Sequence, residues 1–443
     1  MRTSKIQFPK RFSFFFLLFC ILGIMGYARS QQNTIFHAVV AKDGTGDYTT
    51  VQSAIDAVPE NLKSPWLIFV KNGSYEEQVI IPQNKPFIHL IGQDKERTII
   101  HLKLNVGGKP DANTKDLAYW HYSVHNPKSA VSHFEGAVVN INASDFYSEN
   151  ISYVNDWGLE AQNGPQALAL KTKADRIAFY NCKFRSFQDT WMTTTRDADR
   201  HYVKECWLEG AVDYFYGGGN ALVEKSILYN VRSGSVIVAP CHESVKYGYV
   251  FRNCVIDGNE QAADGKLKLG RPWHNSPKAV YINTLVKIPL APEGWTNMGT
   301  IPALFAEYNS MDMNGKTLDL SCRKTEYETG GKEKGKGQCR AAITSDEAAL
   351  YTYENIIKSK DGWDPRSMME QLPAPAHIRW EQDGLKWDAV PGALGYVLDV
   401  NGKIVDITSD TQSLWESDMK GVVLLIRAVN RNGTLGEQGV CYL

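Results

Sequence analysis

The sequence predicts an all-β protein: a right-handed parallel β-helix, or solenoid, with a few flanking helices and a small C-terminal antiparallel β-sandwich-like domain. Three observations carry this reading. From about residue 59 to about residue 310 the chain consists of short β-branched and aromatic runs separated by Gly, Asn and Asp. One theme recurs within it: Glu149-Asn150-Ile151-Ser152-Tyr153, Tyr180-Asn181-Cys182-Lys183-Phe184, Lys204-Glu205-Cys206-Trp207-Leu208, Glu224-Lys225-Ser226-Ile227-Leu228 and Arg252-Asn253-Cys254-Val255-Ile256, with central positions 31, 24, 20 and 28 residues apart. A small or apolar residue returning to one place in a strand at variable spacing fits coils stacked on one another. After Pro373-Ala374-Pro375, alternating strand-like runs are joined by turn dipeptides.

The elements follow in chain order. Arg2, Lys5, Lys10 and Arg11 precede the apolar run Phe12 to Met25, and small residues follow at Ala28 and Ser30, the layout of an export signal cleaved near Ser30/Gln31. The run is too short for a comfortable membrane span. Expected boundaries are 1–30 for the signal peptide, 31–372 for the β-helix and 373–443 for the C-terminal module. Gly44-Thr45-Gly46-Asp47 reads as a turn, with Asp47 capping a helix over Tyr48 to Val58 that Pro59 ends. The stretch Asn105 to Glu135, with Tyr119, Trp120, His121, Tyr122, His125 and His133, reads as a surface loop over a groove. Thr344-Ser345-Asp346-Glu347 has the form of a capping box opening a helix to Ile357 that packs outside the coils or covers one end. Ile378 to Trp380, Leu385 to Trp387, Tyr396 to Val400 and Val422 to Val429, with turns at Pro391-Gly392, Asn401-Gly402 and Asn432-Gly433, make a module similar to fibronectin type III, folding apart from the rest.

Composition narrows the function. The chain is 43% hydrophobic with 11 Trp and 21 Tyr, enough for a large core and for sugar-binding surfaces. Residues 1–30 hold five basic residues and no acid, so their removal takes the formal charge from −1 to −6. That argues against nucleic acid as a partner but not against an anionic polysaccharide met by a local basic rim. Seven cysteines remain, too few for a disulfide scaffold. Cys182, Cys206 and Cys254, with Ser226, form an inward-facing stack on the coil reading. Cys322 and Cys339 bracket a Lys/Gly-rich loop and are the one expected disulfide. No CxxC pair or His/Cys cluster indicates a metal site.

Polar groups interrupt strand text at Gly164-Pro165-Gln166-Ala167-Leu168-Ala169-Leu170, Phe187-Gln188-Asp189-Thr190, Gly210 to Gly217 and Leu267 to Trp273. An aspartate at a turn is ordinarily only a turn residue. Asp189 and Asp213, however, lie 24 residues apart, about one coil, so stacking sets them side by side. Arg271 beside two close carboxylates keeps one of them ionised, since an opposite charge within a few ångströms lowers an aspartate pKa by about 1–3 units.

These blocks, together with Gly73-Ser74-Tyr75-Glu76-Glu77 and the opening Val40-Ala41-Lys42-Asp43-Gly44, resemble the signature segments of the pectin methylesterase family, in order, over roughly residues 37–365. The resemblance implies a secreted carbohydrate esterase that removes methyl groups from methyl-esterified homogalacturonan (pectin), acting as a monomer without metal or other cofactor. It implies Asp213 as nucleophile, Asp189 as general acid and base, Gln166 and Gln188 as oxyanion donors, and Arg271 as partner of Asp213. Trp273 and Tyr216 are the implied sugar-binding aromatics, with Trp295 and Met298 as further cleft residues. It also implies split pKa values, low for Asp213 and raised for Asp189. Two departures stand out. The aspartate block commonly reads Asp-Phe-Ile-Phe-Gly but here is Asp213-Tyr214-Phe215-Tyr216-Gly217, and Gln188-Asp189-Thr190 continues as Trp191-Met192 instead of Leu-Tyr. The competing readings are a β-helix galacturonan hydrolase or lyase and a non-catalytic polysaccharide-binding β-helix. The glutamine pair disfavours glycosidic cleavage, which needs no oxyanion hole. The presence of both aspartates and Arg271 disfavours the binding protein.

Overall fold

In the computed structural model, which describes residues 35–105, 136–331, 335–381, 384–414 and 421–442, each short apolar run pairs with the runs one coil before and after it. The result is three parallel sheets wound into one solenoid. The first has ten strands, from Ala38–Val40 to Leu304–Tyr308; the second eight, from Gly73–Glu76 to Leu285–Val286; the third seven, from Val79–Ile81 to Lys268–Gly270. From Trp66–Val70 to Leu285–Val286 successive strands visit the three sheets in turn, while Ala38–Val40 and Leu304–Tyr308 extend the first sheet at its two ends.

The recurring theme is the corner between the first and second sheets. Asn150, Asn181, Glu205, Lys225, Asn253, Asn283 and Asn309 all hold a left-handed backbone, which turns the chain sharply within one residue. Asn tolerates that conformation best, and its amide also bonds up the stack: Asn181 Nδ2 donates to Asn150 Oδ1 at 2.7 Å and Asn309 Nδ2 to Asn283 Oδ1 at 2.9 Å. The next residue points inward. The Cys182 N–H donates to Cys206 Sγ at 3.3 Å and the Cys206 N–H to Ser226 Oγ at 3.0 Å, so the expected stack is present, with its cysteines as packing residues.

Aromatic rings fill the solenoid interior. Tyr153 stacks on Phe184, Phe184 leans on Trp191, and Trp191 meets Phe215 edge-on at 5.1 Å between centroids. The first sheet is apolar on both faces. In Trp66–Val70, Ile68 and Val70 enter the solenoid core while Leu67 and Phe69 face outward. An apolar outer face must be covered. At one end of it lie Tyr351, Tyr353, Ile356 and Ile357, against Tyr202, Leu222 and Val250.

Covering the rest is the C-terminal module, which is expected to stand apart but docks on this face. It has a three-stranded antiparallel sheet (Arg379–Glu381, Gly384–Lys386, Gln412–Ser413) and a four-stranded one (Lys403–Thr408, Gly395–Val400, Val423–Val429, Leu435–Tyr442). Its own core includes Leu385, Trp387, Tyr396, Leu398, Leu424 and Ile426. Val397, Val429 and Leu435 instead join the outer cluster with Leu67, Phe69, Ile91 and Tyr147. Polar contacts fix the seat: His89 Nδ1 pairs with Asn432 O at 2.9 Å, and the Leu435 N–H donates to the buried Glu149 carboxylate at 3.0 Å. The hairpin turn at Asn401-Gly402 has positive φ at both residues, as a two-residue hairpin loop demands.

Local differences from expectation have local causes. The first helix spans only Val51–Asp56, and its cap is Thr50, whose side chain accepts from Ser53 N, because Asp47 is bonded to the Val39 N–H. The Thr344–Glu347 capping box forms, but its helix stops at Ala348 and a second one, Tyr353–Ile356, follows behind its own cap, Thr352. Cys322 and Cys339 are not bonded to each other: Cys339 is buried and accepts from the Phe305 N–H at 3.0 Å, while Cys322 is exposed. The signal peptide and residues 106–135 of the expected groove loop lie outside the described residues. No helix among the described residues is long and apolar enough to cross a membrane.

Candidate active site

Register decides whether the two aspartates meet. In the third sheet Gln188 pairs with Val212, Trp191 with Phe215 and Met192 with Tyr216, a constant offset of 24 residues. Asp189 therefore faces Asp213 across one coil, and its N–H donates to Val212 O at 2.9 Å. Against the following coil the register slips between Val212 and Phe215, an irregularity that takes in Asp213 and Tyr214. Bulges of this kind re-aim a side chain out of the regular ladder. Both aspartates hold left-handed backbone, with φ of 61° at Asp189 and 51° at Asp213, strain of a sort that collects at functional sites. Gly210 makes room for the Tyr214 side chain beside the bulge, since a Cβ there would lie 2.4 Å from Tyr214 Cβ.

Arg271 follows the strand Lys268–Gly270 and is held by its N–H to Val238 O at 2.9 Å. Its guanidinium grips Asp213 with both prongs, Nε to Oδ1 at 2.8 Å and Nη2 to Oδ2 at 2.5 Å. Asp213 is 5% exposed and Asp189 8%. Burial pushes the Asp189 carboxyl well above the ordinary range, the Asp213 charge adds to this, and Arg271 opposes it. Asp213 is also raised by burial, against the pull of Arg271. The expected split thus keeps its order, but Asp213 is not low, because its desolvation outweighs the ion pair. Arg232 adds a second positive charge near Asp213, which the sequence reading did not single out. It follows the second-sheet strand Ile227–Asn230, and its guanidinium lies over the Phe187 ring.

The glutamines sit beside the pair. The Ala167 N–H donates to Gln188 O at 3.0 Å, which makes Gln166 and Gln188 neighbours in adjacent coils. Both are half-buried, and neither side-chain amide has a hydrogen-bond partner among the described residues. Ala137, Leu168, Met192, Tyr216 and Ala239 line the outward face of the same sheet, and Trp273 packs on them, its ring 5.5 Å from that of Tyr216. Trp273 also borders a cleft of about 230 Å³ with Lys171, Thr172, Lys173, Met192, Thr194 and Thr195.

Trp295 is not a cleft residue. It is 1% exposed and stacks on Phe305 at 4.7 Å inside the solenoid, because the bridge from Gly270 to Trp295 turns its side chain inward. Met298 is half-buried in a segment tied to the Gly270–Asn275 stretch by the Thr296 N–H to Gly270 O and Thr300 Oγ1 to Asn275 O; no described contact joins it to the aspartates.

The Pectinesterase family model matches residues 37–119 and 121–358. Pectinesterase 31 of Arabidopsis thaliana is 33% identical over 275 residues, which cover 61% of this chain and 80% of the relative. A pectinesterase of Petunia integrifolia is 29% identical over 342 residues, covering 74% and 81%. Among solved structures, the pectin methylesterase from carrot superposes with a TM-score of 0.59 at 24% identity, covering 73% of this chain and 93% of its own. The shared fold is the right-handed parallel β-helix. A family match spanning both aspartates, both glutamines and Arg271 joins the relatives and the fold in one conclusion: this chain belongs to the pectinesterase family.

Proposed function

We propose that this chain hydrolyses the methyl esters of homogalacturonan, turning pectin and water into pectate and methanol through Asp213, Asp189 and a glutamine oxyanion hole. The observation that carries the reading is the Arg271 fork on Asp213 one coil away from a second buried carboxyl, Asp189. An Asp213 oxygen attacks the ester carbonyl, and the oxyanion takes hydrogen bonds from the Gln166 and Gln188 amides. Collapse breaks the bond to the methoxy group, which leaves as methanol with the proton from Asp189. An acyl anhydride on Asp213 remains. The Asp189 carboxylate then takes a proton from water, whose oxygen attacks the anhydride; Asp213 leaves as carboxylate and Asp189 is protonated again. The two raised carboxyls suit this cycle, Asp189 being the one that keeps its proton longer.

Trp273, half-buried, offers aromatic surface to sugar rings, with Tyr216 packed beneath it and 3% exposed. Met298, two residues beyond Thr296, whose N–H bonds to Gly270 O, borders the same cleft. The chain is secreted as a monomer after cleavage near Ser30/Gln31. The C-terminal module is a fibronectin type III-like unit, a reading supported by its antiparallel sheets of three and four strands. The test is product identity. On methyl-esterified pectin, methanol and titratable acid should appear in equal amounts with no new reducing ends; chain shortening without methanol would sink the esterase reading in favour of a glycosidic hydrolase or lyase.

A further inference from the structure

We infer that Tyr216 is a positioning residue for Asp189, its phenol donating a hydrogen bond to the Asp189 carboxylate during the interval between methanol departure and water attack. The inference deepens the proposed function and rests on its assignment of Asp189 as acid and base. The position is one where the family block commonly carries Phe, so the hydroxyl is an addition whose use needs explaining. Pairing with Met192 puts Tyr216 on the outward face of the third sheet, against Trp273, whereas its neighbour Phe215 enters the core. Tyr216 is 3% exposed, and its hydroxyl has no partner in ordinary hydrogen-bond geometry among the described residues. A buried donor left unmade is unfavourable and calls for a reason.

Its surroundings supply one. The titratable groups facing Tyr216 are Asp189, Asp213 and Tyr249, and Asp189 acts on it most strongly. Asp189 in turn faces Asp213, Arg271 and Tyr216. A protonated carboxyl is a weak acceptor, so the resting site tolerates a long, unformed contact. Once Asp189 has given its proton to methoxide it becomes a carboxylate, and the nearby phenol can close on it as a charge-assisted donor. Burial and the two aspartates hold the Tyr216 phenol well above its ordinary range, so it can donate but does not ionise itself. The hydroxyl thereby favours the ionised form of Asp189 that must wait for water.

The test is Tyr216→Phe in the full chain, a change that keeps the ring against Trp273 and Met192. Loss of a donor to the ionised form moves the alkaline limb of kcat/KM, which reports the Asp189 proton, upward by about half a unit to one unit. We expect kcat to fall on the order of three- to tenfold with KM within about twofold of wild type. A limb that stays in place, or a change confined to KM, overturns the inference, since a purely structural or sugar-contacting tyrosine predicts one of those. Asp189→Asn separates this failure from a deeper one: if that variant keeps wild-type activity, the assignment of Asp189 fails, and the role of Tyr216 with it.

Discussion

Replacing Arg271 by Met asks how much of the nucleophile's charge the protein maintains through one contact. Asp213 is 5% exposed, and two charge-assisted hydrogen bonds from Arg271 counter the desolvation that pushes its carboxyl upward. Removing an opposite charge at this distance raises an aspartate pKa by about 1–3 units. Each unit divides the ionised fraction about tenfold at pH below the original pKa, so activity on the acid side falls by about 10- to 1,000-fold. Nearer the alkaline limb, set by Asp189, the loss shrinks, and the bell narrows from its acid side. Arg271→Lys keeps the charge but cannot reproduce the two-pronged geometry, and falls between the two. The assay is the initial rate of methanol release from about pH 4 to about pH 10, with circular dichroism to establish folding. A folded Arg271→Met protein whose acid limb coincides with wild type would refute the reasoning, because the Asp213 charge would then owe nothing to the arginine.

Other perturbations read other parts of the account. Gln188→Leu and Gln166→Leu should each lower kcat by about 10²–10³ with little change in KM; a change in KM alone would place the glutamines in ground-state binding. Glu149 lies buried under the C-terminal module, accepts from the Tyr147 hydroxyl and the Leu435 N–H, and is pushed by burial from 4.5 up to about 7. Its folded-state pKa is the higher one, so its contribution to stability is complete below about pH 4.5 and is lost as pH rises toward about 7, on the order of 3 kcal/mol in all. Glu149→Gln should flatten that part of the melting-temperature profile, and an unchanged slope would mean that Glu149 is not the group titrating.

The solenoid was legible because its coils repeat a physical requirement. The left-handed corner favours Asn, the residue after it must pack inward, and both demands leave a mark at Asn150-Ile151, Asn181-Cys182 and Asn253-Cys254. Asp189 and Asp213 were legible for the same reason, since their 24-residue spacing equals the ladder offset found between Trp191 and Phe215. Trp295 was misplaced because a tryptophan after Gly294 reads equally well as cleft or core, and only its bridge to Gly270 decides. Cys322 and Cys339 flank a loop, which spacing alone cannot distinguish from a loop they close. The docking of the C-terminal module did leave a trace. Leu67 and Phe69 alternate with Ile68 and Val70, so that strand has no polar face to give to water. Arg232 left none, because a single arginine at a turn looks like any surface residue until the fold brings it near Asp213.

The central claim is that Asp213 and Asp189 act as one unit on one ester, and a double-mutant comparison tests it most directly. Methanol release by Asp213→Asn, Asp189→Asn and the double variant, each checked for folding, should show losses of about 10⁴-fold or more for Asp213→Asn and about 10²–10⁴-fold for Asp189→Asn. The double variant should be hardly worse than Asp213→Asn alone. Wild-type release by folded Asp213→Asn, or single losses that simply multiply in the double variant, would contradict it.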